Sequence, residues 1–296
     1  MPAPETILRR TFLASGAAGL APAFAQSSRP PWRTGGPTYD TEVSGIRILP
    51  GQWRPHYRWE QIAWISPPWP SHDYLWLDFP EAIFSSQGLL YLSAVNPKFP
   101  VAFPALPQVK WRPLAEGLAF DRALPNGVRF GGAIRRKSET LVELELSLEN
   151  GSRAPLRDIA LQTCLYLRAI REFADFTAAN KFVHTASGWI PLSEALLLKE
   201  TGPAAYRVGW RKEGKPLADL PVMATMSNQA ERLVAMTWHH DTLSLIGNPR
   251  HPCMHADPQF KDLAPGERAG IRGHIVFFEG KLRDFDWAKA TGGDRP

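Results

Sequence analysis

Hydrophobic residues along this chain recur in short alternating runs that are typical of strands. In the clearest run, 141–146, Leu or Val alternates with Glu, as expected where one face of a strand is buried. Glu149-Asn150-Gly151-Ser152 follows and predicts a tight turn, because Asn-Gly accepts the positive φ that such turns need. Strands are predicted at 62–65, 74–79, 89–95, 128–134, 140–148, 159–167, 183–191, 205–211, 222–226, 233–238, 242–246 and 269–278.

Helices are predicted to be few and short. Residues 168–180 form the best candidate for a helix or a long loop, although their charges and aromatics are poorly periodic. The 28 prolines argue against long helices and favour short strands joined by turns. The predicted fold is therefore all-β, a large antiparallel β-sandwich.

The first 25 residues are typical of an export signal. Arg9-Arg10 is followed by Phe12, an apolar run at 14–24 and an Ala-x-Ala site at 23–25, and the run is too short to span a bilayer. The paired arginines resemble a twin-arginine signal, with an ordinary secretory signal as the alternative. We predict a signal peptide at 1–25, a flexible leader at 26–40 and a single β-sandwich domain at 41–290. We also predict a periplasmic or secreted location, the twin-arginine export machinery as a partner, and no stable membrane anchor after cleavage.

The charge pattern argues against a nucleic-acid partner. The formal net charge is +5, and it falls to +4 without residues 1–25, which hold Glu5, Arg9 and Arg10. The basic residues are scattered, and their longest cluster, 135–137, is interpreted as a solvated strand end.

The two cysteines, Cys164 and Cys253, leave two interpretations open. An oxidising compartment permits one disulfide between them. Their largely apolar surroundings equally favour two buried free thiols.

The densest polar segment is the proline-rich stretch 248–258. Its prolines restrict the backbone before any ligand arrives, and Trp238-His239-His240-Asp241 precedes it closely. His251 or His255 could transfer protons with Asp257 orienting the ring, or His251, His255 and Asp257 could bind a metal, with Cys253 as a further ligand. A rigid structural loop is the third reading. Arg250 and Trp238 are candidate ligand-binding residues beside these.

A second polar segment combines acids, bases and a tryptophan between residues 168 and 189. Carboxylates beside arginines bond sugar hydroxyls, and an indole stacks on the apolar face of a sugar. A solvated helix face is the alternative, on which Glu172 and Asp175 would lie together. The candidate ligand-binding residues here are Arg168, Glu172, Asp175, Asn180, Lys181 and Trp189, with His184 as a candidate catalytic group.

Aromatic residues are concentrated near the start of the predicted domain. Trp53, Tyr57, Trp59, Trp64, Trp69, Tyr74 and Trp76 fall in one short segment. Most are expected to be core residues, and the rest could form a stacking platform for a glycan.

Three stretches resemble the galactose-mutarotase-like supersandwich proteins. They are 142–156, with its strand, Asn-Gly turn and following strand, the Pro-Gly-Glu turn at 263–267, and the strand at 127–130. The resemblance implies a supersandwich fold that is often used on carbohydrates. The family's site histidine follows the post-turn strand, whereas here that strand reads Thr163-Cys164-Leu165-Tyr166-Leu167 and has none.

These features together predict an exported protein that acts on or binds a sugar or polysaccharide in a cleft of the sandwich. Hydrolysis, elimination and epimerisation all remain open. A non-catalytic glycan-binding module and a periplasmic metal-binding protein are the alternatives. The sequence does not identify a cofactor. The cleft would be walled by segments 168–189 and 248–257.

Overall fold

The computed structural model describes residues 43–174, 179–197, 207–209, 218–247 and 252–292. The predicted signal peptide and leader lie outside these residues, as do Asp175, Arg250 and His251. No helix in the described part of the chain is long and apolar enough to cross a membrane.

The described residues fold mainly into strands. The strands are Ile48–Gly51 (β1), Ile62–Ile65 (β2), Leu75–Ser85 (β3), Gly88–Leu92 (β4), Arg112–Leu114 (β5), Gly117–Ala123 (β6), Arg129–Arg136 (β7), Leu141–Glu149 (β8), Ala160–Tyr166 (β9), Lys181–Thr185 (β10), Gly188–Pro191 (β11), Arg207–Gly209 (β12), Val222–Met226 (β13), Arg232–Thr237 (β14), Thr242–Gly247 (β15), Cys253–Pro258 (β16) and Arg268–Glu279 (β17). The α-helices are Leu192–Leu197 (α1) and Trp287–Ala290 (α2), with 3₁₀ turns at Arg171–Phe173, His239–Asp241 and Leu282–Asp284.

These strands form two antiparallel sheets. Sheet 1 runs in the order β1-β2-β3-β9-β16-β15-β12, with β4 paired to the second half of β3. Sheet 2 runs β11-β10-β13-β14-β17-β8-β7-β6-β5. The two-sheet, all-β architecture confirms the predicted sandwich.

The core lies between the sheets, and strands such as β8 alternate buried and more exposed side chains. In β8, Leu144, Leu146 and Leu148 point into the core, whereas Glu143 and Glu145 are more exposed. Fully burying one such leucine contributes about 1.5–3 kcal/mol. A second apolar cluster lies on the outer face of sheet 2, where the C-terminal segment 282–290 covers β13, β14 and β17.

The Asn-Gly and Pro-Gly-Glu turns hold each other. The Asn150 N–H donates to the Glu267 carbonyl (2.9 Å), and the Gly266 N–H donates to the Asn150 carbonyl (2.6 Å). Asn150 is fully buried and its side-chain amide donates to the Leu263 carbonyl (2.9 Å). Two of the stretches that carry the family resemblance therefore meet in space.

Three local predictions are corrected. Residues 168–180 contain a single 3₁₀ turn that ends at Phe173 instead of a helix face, in the part that is described. Residues 183–191 contain two paired strands, β10 and β11. Most of the proline-rich segment is strand β16 and not a loop, because β9 and β15 hydrogen-bond it on both sides. Pro252 precedes the strand and Pro258 is its last residue.

Candidate functional site

Strand β16 divides its side chains between the core and the outer face of sheet 1. Met254 and Ala256 point into the core. Side chains alternate between the two faces of a strand, so Cys253, His255 and Asp257 point to the opposite face, which is the outer face of sheet 1. Neighbouring strands add Cys164, which pairs with His255 in the β9 register, and Asp78, which pairs with Cys164 in the β3 register. We call these residues, with Glu81, Arg54 and Glu60, the sheet 1 site.

His255 is held between a carboxylate and a thiol. Its Nδ1 lies 3.3 Å from Asp257 Oδ1, and its Nε2 lies 3.6 Å from Cys253 Sγ. The ring is 7% exposed. Burial lowers the pKa of His255, but the Asp257 carboxylate, with the Cys253 contact, outweighs it and raises the pKa well above its ordinary value.

Asp257 is itself fixed by the sheet. Its Oδ1 accepts the Thr163 N–H (3.1 Å), and Ser244 Oγ lies 3.5 Å from its Oδ2. The orientation of the His255 ring is thus set by groups on β9 and β15, which flank β16.

The two cysteines are neighbours and both are buried free thiols. A hydrogen bond to Cys253, together with burial, raises the pKa of the Cys164 thiol well above its ordinary value. Their side chains therefore meet, as a disulfide would require, but in the structure they stay unbonded.

Arg54 places a positive charge on the same outer face of sheet 1. Arg54 donates to Asp78 Oδ2 (3.0 Å) and forms an ion pair with Glu60. The side chains of Asp78 and Glu60 are each 2% exposed. Ser93 Oγ donates to the same Asp78 oxygen (2.7 Å). The other oxygen, Asp78 Oδ1, is buried and has no hydrogen-bond partner among the residues that the structure describes.

The surrounding groups shift the pKa of Asp78. Burial, followed by repulsion from Glu81, raises its pKa well above the ordinary value in spite of Arg54 and Ser93. A buried carboxyl oxygen without a partner costs free energy, so it marks a place where a ligand or a water can gain a hydrogen bond.

Glu81 stands at a break in the sheet. The β3–β9 register shifts between Asp78 and Ala82, and this bulge contains Glu81. Its side chain is 27% exposed, and Oε2 lies 4.0 Å from His255 Nδ1. Burial raises the pKa of Glu81, and attraction to His255 opposes this increase. Glu81 is therefore the more accessible carboxyl of the sheet 1 site.

Half-buried aromatic rings adjoin these charges on the same face. Trp53 stacks on Tyr166 (centroids 4.5 Å apart), and Trp76 lies 5.9 Å from Tyr166 and 6.1 Å from Trp64. The Arg54 guanidinium lies 4.4 Å from the Trp53 ring. The Trp64 Nε1 donor is buried without a partner. Aromatic rings beside a charged cluster suit a ligand with both apolar and hydroxylated faces.

The structure separates His184 from the sheet 1 site. Val183 points into the core, so the adjacent His184 points to the outer face of sheet 2, where its Nδ1 lies 2.5 Å from Asp219 and its ring is edge-on to Trp189. His255 lies on the outer face of sheet 1. His184 and His255 thus lie on opposite outer faces and do not line one cleft.

Other predicted ligand-binding residues have structural contacts. Glu172 accepts from Trp69 Nε1 (2.6 Å) and from Arg232 (3.4 Å). The buried Lys181 ammonium donates to the Asn180 side chain (3.1 Å). Trp189 packs beside Phe285, Trp238 is fully buried against Phe79, and Arg168 is exposed just beyond β9.

The sheet 1 site contains residues that the sequence did not single out. Arg54, Glu60, Asp78 and Glu81 are absent from the site that the sequence predicts. The available signal was Asp78-Phe79-Pro80-Glu81, because a proline inside a strand commonly marks a bulge. That pattern identifies an irregularity but does not give the face on which Glu81 emerges.

No family model matches this sequence, and no curated protein matches it. Similar solved structures include the GalM/aldose epimerase homologue from C. elegans (10% identity, TM-score 0.43, covering 81% of this chain and 100% of that one). Others are the galactose 1-epimerase from Lactobacillus acidophilus NCFM (8%, TM-score 0.34, 80% and 100%) and the Slr1438 protein from Synechocystis sp. PCC 6803 (8%, TM-score 0.38, 81% and 99%). The first two belong to the group that the three sequence stretches resemble, and we draw no conclusion about activity from matches this distant.

Proposed function

We propose that this protein is carbohydrate-active and that its ligand binds at the sheet 1 site. The observation that carries the proposal is the position of Trp53, Trp76 and Tyr166 beside the charged groups of Arg54, Asp78 and Glu81 on one sheet face. Aromatic rings cover the apolar face of a sugar ring, and charged groups bond its hydroxyls.

The polar groups are suited to hydroxylated ligands. Asp78 Oδ1 and Trp64 Nε1 supply one unused acceptor and one unused donor. A sugar hydroxyl can donate to such an acceptor or accept from such a donor. Arg54 is held by two carboxylates, and its orientation is fixed before a ligand arrives.

Glu81 is the acid–base group of this proposal. It is more exposed than Asp78, and its Oε2 lies 4.0 Å from His255 Nδ1. An accessible carboxyl next to bound sugar can exchange a proton with a hydroxyl or a ring oxygen. Structural neighbours named as aldose or galactose epimerases agree with a sugar ligand but do not select the reaction. Export remains a prediction from residues 1–25.

The test is a binding panel with matched tryptophan variants. Neutral monosaccharides, oligosaccharides and acidic polysaccharides are titrated calorimetrically into the wild type, Trp76→Ala and Trp189→Ala. We expect a member of the panel to bind, with about tenfold weaker binding for Trp76→Ala because a stacked ring contributes roughly 0.5–1.5 kcal/mol beyond its buried area. Trp189 is an equally half-buried indole on sheet 2, and its variant should bind like the wild type. Equal losses in both variants, or no binding across the panel, would overturn the proposal.

A further inference from the structure

Three soft or borderline ligand atoms converge in the sheet 1 site. Cys164 Sγ, Cys253 Sγ and one ring nitrogen of His255 all lie within 4.8 Å of one another, and all three residues are buried. Two cross-strand pairings create this arrangement, because Cys253 pairs with Tyr166 and His255 pairs with Cys164. The cluster is thus fixed by the sheet and does not depend on a loop.

The spacing matches tetrahedral coordination. Zinc binds sulfur at about 2.3 Å and imidazole nitrogen at about 2.0–2.1 Å, which places a sulfur and a nitrogen ligand about 3.6 Å apart. The observed distance between Cys253 Sγ and His255 Nε2 is 3.6 Å. The two ligand atoms therefore need little movement to close around an ion.

The second nitrogen of His255 is already held in the manner of metal sites. A histidine ligand commonly gives its other ring N–H to a carboxylate, which fixes the tautomer and the ring orientation. Here Nδ1 faces Asp257, which in turn accepts the Thr163 N–H. This arrangement leaves Nε2, the nitrogen nearer to the thiols, available as an acceptor.

We propose that Cys164, Cys253 and His255 bind a thiophilic d¹⁰ cation, Zn²⁺ or Cu⁺. Two sulfurs and an imidazole select these ions over Mg²⁺ or Ca²⁺, which take oxygen ligands. Three protein ligands leave a fourth position for water or a ligand atom. This metal site goes beyond the proposed sugar binding and does not depend on it. It also replaces His251, His255 and Asp257 as the metal-ligand set, because Asp257 faces the ring and not the thiols.

The test is a metal titration of the reduced, metal-free full chain without sugar. Zn²⁺ and Cu⁺ are added in separate arms against chromophoric chelators, and Co²⁺ is added in a third arm as a spectroscopic probe. We expect one equivalent of Zn²⁺ or Cu⁺, the tighter arm identifying the ion, and sulfur-to-cobalt charge-transfer absorption in the Co²⁺ arm. Less than about a tenth of an equivalent in both metal arms, or freshly purified protein with the two cysteines joined as a disulfide, overturns the proposal.

Variants separate ligation from general stability. His255→Ala should lose binding by at least a hundredfold, whereas His184→Ala, which removes a histidine from sheet 2, should bind like the wild type. Asp257→Asn should weaken binding by about ten- to a hundredfold, the usual effect of losing a carboxylate that orients a ligating histidine. If His255→Ala fails to fold, the Co²⁺ spectrum of the wild type still decides, because absence of the sulfur bands contradicts thiolate ligation. Equal metal affinity in the His255→Ala and His184→Ala proteins also overturns the proposal.

Discussion

The outer faces of both sheets carry charged residues, but the charges are solvated on sheet 2 and buried on sheet 1. The outer face of sheet 2 forms an open groove of about 980 Å³ lined by charged residues such as Arg135, Glu145 and Arg272. Its charges are solvated and paired, with Arg135 2.5 Å and Arg272 3.5 Å from Glu145. Exposed pairs of this kind contribute roughly 0–1 kcal/mol.

The sheet 1 site is electrostatically more costly. Asp78 and Glu60 are almost completely buried, one Asp78 oxygen has no partner, and the pKa values of Asp78, Glu81 and His255 are all raised. Charges that are removed from water interact strongly and are retained only where they are compensated. The volume of the groove alone would suggest a functional site on sheet 2. The cost of burying charge instead indicates that the functional site lies on sheet 1.

The largest expected effect comes from removing the buried arginine. Arg54→Met should lower the free energy of unfolding by about 3 kcal/mol, because it leaves Asp78 and Glu60 buried without their counter-charge. Urea denaturation in reducing buffer measures this change. The matched variant Arg272→Met, in the sheet 2 groove, should stay within about 0.5 kcal/mol of the wild type. Similar losses in the two variants would remove the distinction between the faces.

A smaller effect is expected from neutralising the accessible carboxyl. On a sugar that binds and is turned over, Glu81→Gln should reduce turnover about a hundredfold while the dissociation constant changes less than threefold, because it removes a proton donor but keeps the shape. Steady-state kinetics and calorimetry on the same samples measure both quantities. Glu145→Gln serves as the control and should keep wild-type turnover. Binding without turnover in the wild type would instead make the protein a glycan-binding module.

The smallest effect concerns the groove itself. A double-mutant cycle on Arg135→Ala and Glu145→Ala should give a coupling free energy of about 0.5 kcal/mol or less, which decreases further at high salt. Denaturation of the four proteins at two salt concentrations provides the measurement. A coupling above about 2 kcal/mol would show that the groove is as electrostatically organised as the sheet 1 site.

The amino-acid sequence by itself determined the fold class and several strands. Leu144, Leu146 and Leu148 alternate with polar residues, and this period is fixed by the geometry of a strand and not by its neighbours. The Pro265-Gly266 turn was equally readable, since Gly266 adopts the positive φ for which glycine is suited (83°). At Asn150-Gly151 neither residue adopts the positive φ that the sequence predicted. The sequence also paired Asp257 with His255, although the strand that puts both on one face was not predicted there.

Only the tertiary structure decided which distant residues meet. Cys164 joins Cys253 and His255 because β9 pairs with β16 across about ninety positions, and His184 is excluded because β10 belongs to the other sheet. Glu81 reaches the site through a bulge in β3, whose direction depends on the register with β9. Periodicity is a local property that each segment carries in its own residues. Strand pairing and burial of charge are set by the summed packing of the whole sandwich, so no single segment encodes them.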